Sequence, residues 1–207
     1  MTIGIARMVE PFTFGADALE PFTDDALSAV AELGCTWVGQ YLENLTAKTR
    51  DRIFSRGMGL KLITEARVSA LSADVGRLSA DLEVRRLRAL ECPTRVHVTI
   101  DLESAHGRPL EVEEYVDTFA RGFSDASFEA ELYVGSGQPL DARELWALLP
   151  DRYWRSSSLV PEPSCGYSTL QLWPNNWELS KAGGFKVDMN VTQADRLGRL
   201  PTLWWPT

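Results

Sequence analysis

Apolar residues along the chain fall into short runs rich in β-branched and aromatic types, and eight of these read as strands: Ile3 to Val9, Thr36 to Tyr41, Leu60 to Thr64, Val96 to Asp101, Glu131 to Val134, Tyr153 to Arg155, Leu170 to Trp173 and Phe185 to Val191. Between the first five the apolar repeat lengthens to a helical one, over Asp24 to Leu33, Thr46 to Arg56, Ala73 to Leu90 and Val112 to Phe123. Thr23, Thr46 and Ser72 stand at the starts of three of these segments, where a side-chain oxygen can accept from a free backbone N–H. Gly34, Gly57 and Gly122 stand where helices should end or turn. Strands alternating with helices of this length predict βαβ units on a parallel sheet with right-handed crossovers. From Glu131 onward the rhythm changes: only Asp141 to Leu149 reads as helical, and Pro161, Pro163, Gly166, Pro174, Gly183 and Gly184 mark loops. The last three strands are therefore predicted to lack full crossover helices.

Strand alternation sends successive side chains to opposite faces. In Arg95 to Glu103 one face is Val96, Val98, Ile100 and Leu102, and the other is Arg95, His97, Thr99, Asp101 and Glu103. Phe185, Val187, Met189 and Val191 stand likewise against Lys186, Asp188 and Asn190. An open doubly wound sheet is apolar on both faces; a barrel explains the split, with aliphatics under the helices and polar side chains lining the interior. Glu43, Glu65, Asp101, Glu103, Tyr133, Trp154, Gln171, Trp173, Asp188 and Asn190 all fall near carboxyl ends of strands, the end of such a barrel at which active sites assemble.

Asp101 and Glu103 are the sharpest pair. Two residues apart on one strand face, their Cα atoms are about 6.6 Å apart. That crowding is expected to raise one pKa, leaving one acid and one ionised carboxylate, the combination glycosidic cleavage requires. Trp154 and Trp173 offer apolar faces for sugar rings, while Glu65, Tyr133, Gln171 and Asn190 are further candidates for substrate binding. His97 points inward but deeper, as a hydrogen-bonded barrel histidine; His106 follows in a loop. Trp204 and Trp205 are expected to cover the barrel bottom.

Composition narrows the field. Eight units sharing 207 residues sit near the floor of about 200 for an eight-stranded α/β barrel, and the shortfall falls after the fifth strand. The expectation is one domain over residues 1–207: an irregular TIM-like α/β barrel of about five βα units followed by three strands with little helix. A net charge of −8 gives no general attraction to nucleic acid, and Arg85, Arg86 and Arg88 read as a solvated helix face. No apolar run approaches the ~18 residues of a membrane span. Cys35, Cys92 and Cys165 are scattered, without a zinc or disulfide pattern. Metal-ligand, phosphate-loop and serine-elbow motifs are missing too, so neither metal nor cofactor is expected. With no secretion signal at the start, the chain is expected to be made in the cytoplasm and then released to a cell wall or carried on a phage particle.

Four segments resemble the glycoside hydrolase family 25-like barrels, including the group often called the DUF1906 domain: Val98-Thr-Ile-Asp-Leu-Glu103, Leu132-Tyr-Val-Gly135, Leu170-Gln-Leu-Trp173 and Gly184-Phe-Lys-Val-Asp-Met-Asn190. The resemblance implies an irregular barrel and a lysozyme-type activity on the linkage from N-acetylmuramic acid to N-acetylglucosamine in peptidoglycan. It makes Glu103 the general acid, Asp101 the partner that orients the reacting N-acetyl group, and Asp188 an electrostatic support. Where the family carries Gly-Ile-Asp or Gly-Phe-Asp on its first strand, this sequence has Gly4-Ile5-Ala6, with Glu10 four residues on as a partial substitute. Two functions follow as expectations: hydrolysis of a cell-wall or related amino-sugar polysaccharide, or, because of Ala6, a silent glycan-binding or structural barrel with partner proteins in a phage particle or secreted assembly.

Overall fold

The computed structural model describes residues 4–65, 71–103 and 107–207; His106 lies outside the described residues. In chain order the elements are β1 (Ile5–Met8), β2 (Phe14–Ala18), α1 (Asp24–Glu32), β3 (Trp37–Tyr41), α2 (Ala47–Ser55), β4 (Gly59–Glu65), α3 (Ala73–Ala89), β5 (His97–Asp101), α4 (Pro109–Asp125), β6 (Glu129–Val134), α5 (Ala142–Ala147), β7 (Arg152–Arg155), β8 (Thr169–Gln171), β9 (Trp177–Leu179), β10 (Phe185–Thr192) and β11 (Thr202–Trp205). Among the described residues eight strands close a barrel in the order β2-β3-β4-β5-β6-β7-β8-β10, parallel from β2 to β8 and sealed by β10, antiparallel to both its neighbours. Five βα units, β2α1 to β6α5, precede the last three barrel strands, β7, β8 and β10, with no α-helix between them among the described residues. This is the irregular TIM-like barrel that the sequence predicts.

One of the eight predicted barrel strands is misplaced. The Ile3 to Val9 run does form β1, but β1 pairs antiparallel with β11 outside the barrel, and β11 meets the barrel through Trp204 opposite Leu60. The first barrel strand is β2, Phe-Gly-Ala-Asp-Ala, whose glycine and alanines weaken its strand signal. Packing demands that glycine: a Cβ on Gly15 would lie 2.1 Å from ring atoms of Trp37.

Capping follows the sequence reading. Thr23, Thr46 and Ser72 accept from the N–H groups of Ala26, Thr49 and Val75 at 3.1, 3.1 and 3.3 Å. Gly122 is a correction. It sits inside α4, where a Cβ would come 2.4 Å from the Cβ of Ala80 on α3; it permits a close helix crossing and ends nothing. Arg85 and Arg88 are exposed on α3, and Arg86 pairs with Glu83 at 2.6 Å. Val38, Leu60, Leu62, Val98, Ile100 and Leu132 point outward into the core beneath the helices. At the opposite end from the predicted site, Val9, Trp37, Leu203 and Trp205 form a separate buried cluster that closes the barrel bottom. Cys35, Cys92 and Cys165 are free thiols.

Candidate functional site

Inward alternation brings Asp17, Tyr41, Ile63, Asp101, Tyr133, Trp154 and Gln171 from seven parallel strands around one small cleft at their carboxyl ends, and Glu103 and Asp188 complete its wall. The accessible volume of the cleft is small, about 30 Å³, enough to admit water. Two glycines make room for the acids. A Cβ on Gly39 would lie 2.6 Å from the Cβ of Asp17, and one on Gly135 would lie 2.8 Å from the Cβ of Glu103. Neither acid could approach its neighbouring strand so closely past a larger residue.

Each of the four carboxyl groups is held differently. Asp101 accepts from the Tyr41 hydroxyl at 3.0 Å and from the Glu103 backbone N–H at 2.8 Å. Burial pushes its pKa up to about 6, against the pull of both hydrogen bonds, with smaller upward pushes from the charges of Glu103 and Glu65. The expectation that crowding by Glu103 would dominate is thus corrected: removal from water dominates, and the neighbouring charge is a lesser cause. Asp188 accepts from the Gln171 amide and from the Asn176 backbone N–H. Gln171 is itself fixed by the Tyr133 hydroxyl and the Ser157 N–H, both donating to its carbonyl at 2.9 Å.

Asp17 accepts from the Asn190 amide at 2.6 Å, and Asn190 accepts from the Trp154 indole N–H at 3.0 Å. Burial first, then the charge of Asp188, drive the Asp17 pKa well above the usual carboxylate range. Glu103 differs from the other three. Its side chain is exposed at the mouth of the cleft, and among the described residues its carboxyl makes no hydrogen bond. Partial desolvation, then the charges of Asp188 and Glu65, raise its pKa.

The predicted trio Asp101, Glu103 and Asp188 therefore shares one cleft, with Tyr133, Trp154 and Gln171. Other predicted residues sit elsewhere. Trp154 and Asn190 are buried and form the floor that holds Asp17, so neither presents a free face to a sugar at the rim. Trp173 is 79% exposed just past β8, beyond the cleft wall. Glu65 ends β4, near enough for its charge to act on Asp101 and Glu103 but outside the wall. Glu43 is exposed on the turn after β3.

Sequence reasoning missed Asp17 entirely. Ala6 and Glu10 are not on the first barrel strand, and the acid sought there is supplied by β2. The signal that finds it is Gly15-Ala16-Asp17, which fits the Gly-x-Asp of the resembled family as Gly4-Ile5-Ala6 does not. Among the described residues no group of three or more His, Cys, Asp or Glu is arranged to hold a metal ion.

By sequence, the chain matches no family model and no curated protein. By structure it is similar to an uncharacterised protein of B. stearothermophilus, at a TM-score of 0.69 and 16% identity over 87% of this chain and 96% of the other. A family 25 glycosyl hydrolase from Bacillus anthracis follows at 0.60 and 12%, covering 90% of this chain and 92% of that enzyme. The modular Cpl-1 endolysin, solved with a peptidoglycan analogue, aligns at 0.62 and 13%, with 90% of this chain spanning 56% of the endolysin. At these identities the likeness shows the fold alone: this chain shares its irregular α/β barrel with these proteins.

Proposed function

We propose that this protein is a glycoside hydrolase of the lysozyme type, cutting peptidoglycan of the bacterial cell wall or a related amino-sugar polysaccharide, with Glu103 as general acid. The observation that carries the reading is the contrast among four converging carboxyl groups: three are locked by hydrogen bonds, and Glu103 alone stands at the mouth with a raised pKa and no hydrogen bond from the described residues. A proton donor needs that protonation state and that freedom. The barrel's likeness to Cpl-1, which was solved with a peptidoglycan analogue, supports the substrate class.

In this scheme protonated Glu103 gives its proton to the glycosidic oxygen as the bond to the anomeric carbon breaks. The N-acetyl carbonyl oxygen of the same sugar, oriented by Asp101, closes on that carbon. The resulting Glu103 carboxylate then takes a proton from the water that opens the intermediate. Asp188 stabilises the positive charge that develops on the sugar ring, and Asp17 adds to it in its ionised form. The rival reading of a silent glycan-binding barrel is motivated by Ala6 and by the acidic charge, and Asp17 in the cleft removes the first of these motives. Purified peptidoglycan should lose turbidity and gain reducing ends with the wild-type protein and not with Glu103→Gln; a wild-type protein that releases nothing from any wall preparation overturns the proposal.

A further inference from the structure

Beneath the cleft lies an ion pair that the hydrolytic scheme does not use. Lys61 on β4 and Glu131 on β6 are both 0% exposed and joined Nζ to Oε2. Glu131 also accepts from the Thr99 hydroxyl at 2.8 Å and from the hydroxyls of Ser168 and Thr169 at 3.4 Å, and Lys61 donates to Thr169 at 3.3 Å. His97 on β5 is the other titratable group whose charge acts on the pair from below. Burying two charges costs several kcal/mol per ion, and a well-packed apolar pair in their place is often as stable or more so. Stability alone therefore gives no reason for the pair.

The register of the sheet points to a reason. Asp17 pairs with Gly39 on β3, and Gly39 pairs with Lys61 on β4, so the three share one inward-facing row and only a glycine stands between carboxylate and ammonium. A second connection runs through the floor. The Lys61 Nζ lies 4.9 Å from the centroid of the Trp154 ring, within cation–π range, and the indole N–H of Trp154 occupies the Asn190 carbonyl. The Asn190 NH₂ is thereby turned to Asp17.

We propose that Lys61 is a positioning residue for the cleft: anchored by Glu131, it supplies a buried positive charge that opposes protonation and so favours the Asp17 carboxylate beneath the substrate. The proposal rests on the hydrolase reading only for the use to which that carboxylate is put. The titratable and charged groups that act on Asp17 are Asp188 from β10, Asp101 from β5, Tyr41 from β3, Tyr133 from β6 and Lys61 from β4. Burial and the carboxylates favour a proton on Asp17, the Asn190 amide opposes it, and Lys61 is the one cation among these groups. Without it Asp17 would hold its proton to still higher pH, and a protonated Asp17 cannot stabilise positive charge on a sugar ring.

Carboxyl and lysine Cε ¹³C resonances of the full chain, followed against pH, test this without turnover. In the wild type the Lys61 Cε signal should move with the same midpoint as the Asp17 carboxyl, since coupling is reciprocal. In Lys61→Met/Glu131→Leu, which removes both charges together, the Asp17 midpoint should rise by about 1 pH unit or more. The acid limb of wall hydrolysis should move up with it. A folded double variant with an unchanged Asp17 midpoint overturns the proposal, and so, should that variant not fold, does a wild-type Lys61 signal that stays flat through the Asp17 titration. A shared midpoint without any wall hydrolysis would keep the coupling and discard the hydrolase reading.

Discussion

The two ends of the barrel interior are lined by the same strands and the same inward alternation, yet they solve opposite problems. At the bottom, Trp37 and Trp205 pack with Val9 and Leu203, and the two indole N–H groups are buried without a hydrogen-bond partner among the described residues. The bottom accepts that cost, about 1–3 kcal/mol for each unmade bond, in exchange for filled volume. At the top, Asp17, Asp101 and Asp188 are each oriented by hydrogen bonds, a small gap remains, and the Glu103 carboxyl takes no hydrogen bond from the described residues. Facing inward is therefore not what makes a residue functional; height along the strand decides whether an inward side chain is fill or chemistry. The Lys61–Glu131 pair lies between the two regimes.

The widest separation of the two ends should come from a pair of variants. Glu103→Gln should lower wall hydrolysis by about 10²- to 10⁴-fold, the usual worth of a general acid, while leaving the melting temperature unchanged because the side chain is exposed. Trp37→Ala should do the reverse. Truncating a buried indole costs about 3–5 kcal/mol, and Gly15, facing the ring, has no side chain to fill the gap; the molecules that remain folded should keep the wild-type kcat. Thermal melts beside turnover measurements decide it: a folded Trp37→Ala protein without turnover would mean that the ends are not separable.

Most of the top was legible in the sequence, because long β-branched strands carry their parity openly. Val96 to Glu103 and Phe185 to Asn190 disclose Asp101, Glu103 and Asp188 by alternation alone. The first strand was not, and the bottom only in part: Trp205 closes it as expected, whereas Trp204 packs in the main core against Phe54. Ile3 to Val9 has the stronger β signal and forms a strand, but a ribbon strand outside the barrel; β2 has the weaker signal because Gly15 must yield to Trp37. Propensity registers side-chain fit to an average sheet surface, and here the specific fit is to one indole. Trp154 and Asn190 were legible as inward but not as floor, since depth depends on barrel closure, which period-2 reading does not contain.

The two ends should also carry opposite pH signatures. Asp101, with its pKa raised to about 6, stabilises the fold fully below the unfolded value near 4 and loses that contribution as pH rises through 6; Asp17 and Glu103, also raised, act in the same direction. At the bottom, His97 accepts from the Thr202 N–H at 2.9 Å, and burial lowers its pKa to about 4. Its contribution is complete above the unfolded value near 6.5 and is lost as pH falls through 4. Between pH 4 and 6.5 the slopes oppose each other, each spanning up to about 3 kcal/mol. Asp101→Asn should therefore make stability rise more steeply with pH, and His97→Gln should make it fall more steeply. Denaturant midpoints at pH 4.5 and 7 read both, and wild-type slopes in both variants would refute the assignment.

The smallest effect should fall on Trp173, which belongs to neither end. It lies two residues past Gln171 at the rim, 79% exposed, with its ring outside the cleft wall. So much apolar surface beside a polar cleft contributes little to the fold, and an aromatic face of this kind adds about 0.5–1.5 kcal/mol when it meets a flat partner. Trp173→Ala should accordingly raise KM for soluble wall fragments about 2- to 12-fold, with kcat and melting temperature unchanged. A change confined to KM marks binding that is equal in the ground and transition states. A fall in kcat at constant KM would instead place Trp173 with the four carboxyl groups, and a lower melting temperature would place it with Trp37 and Trp205.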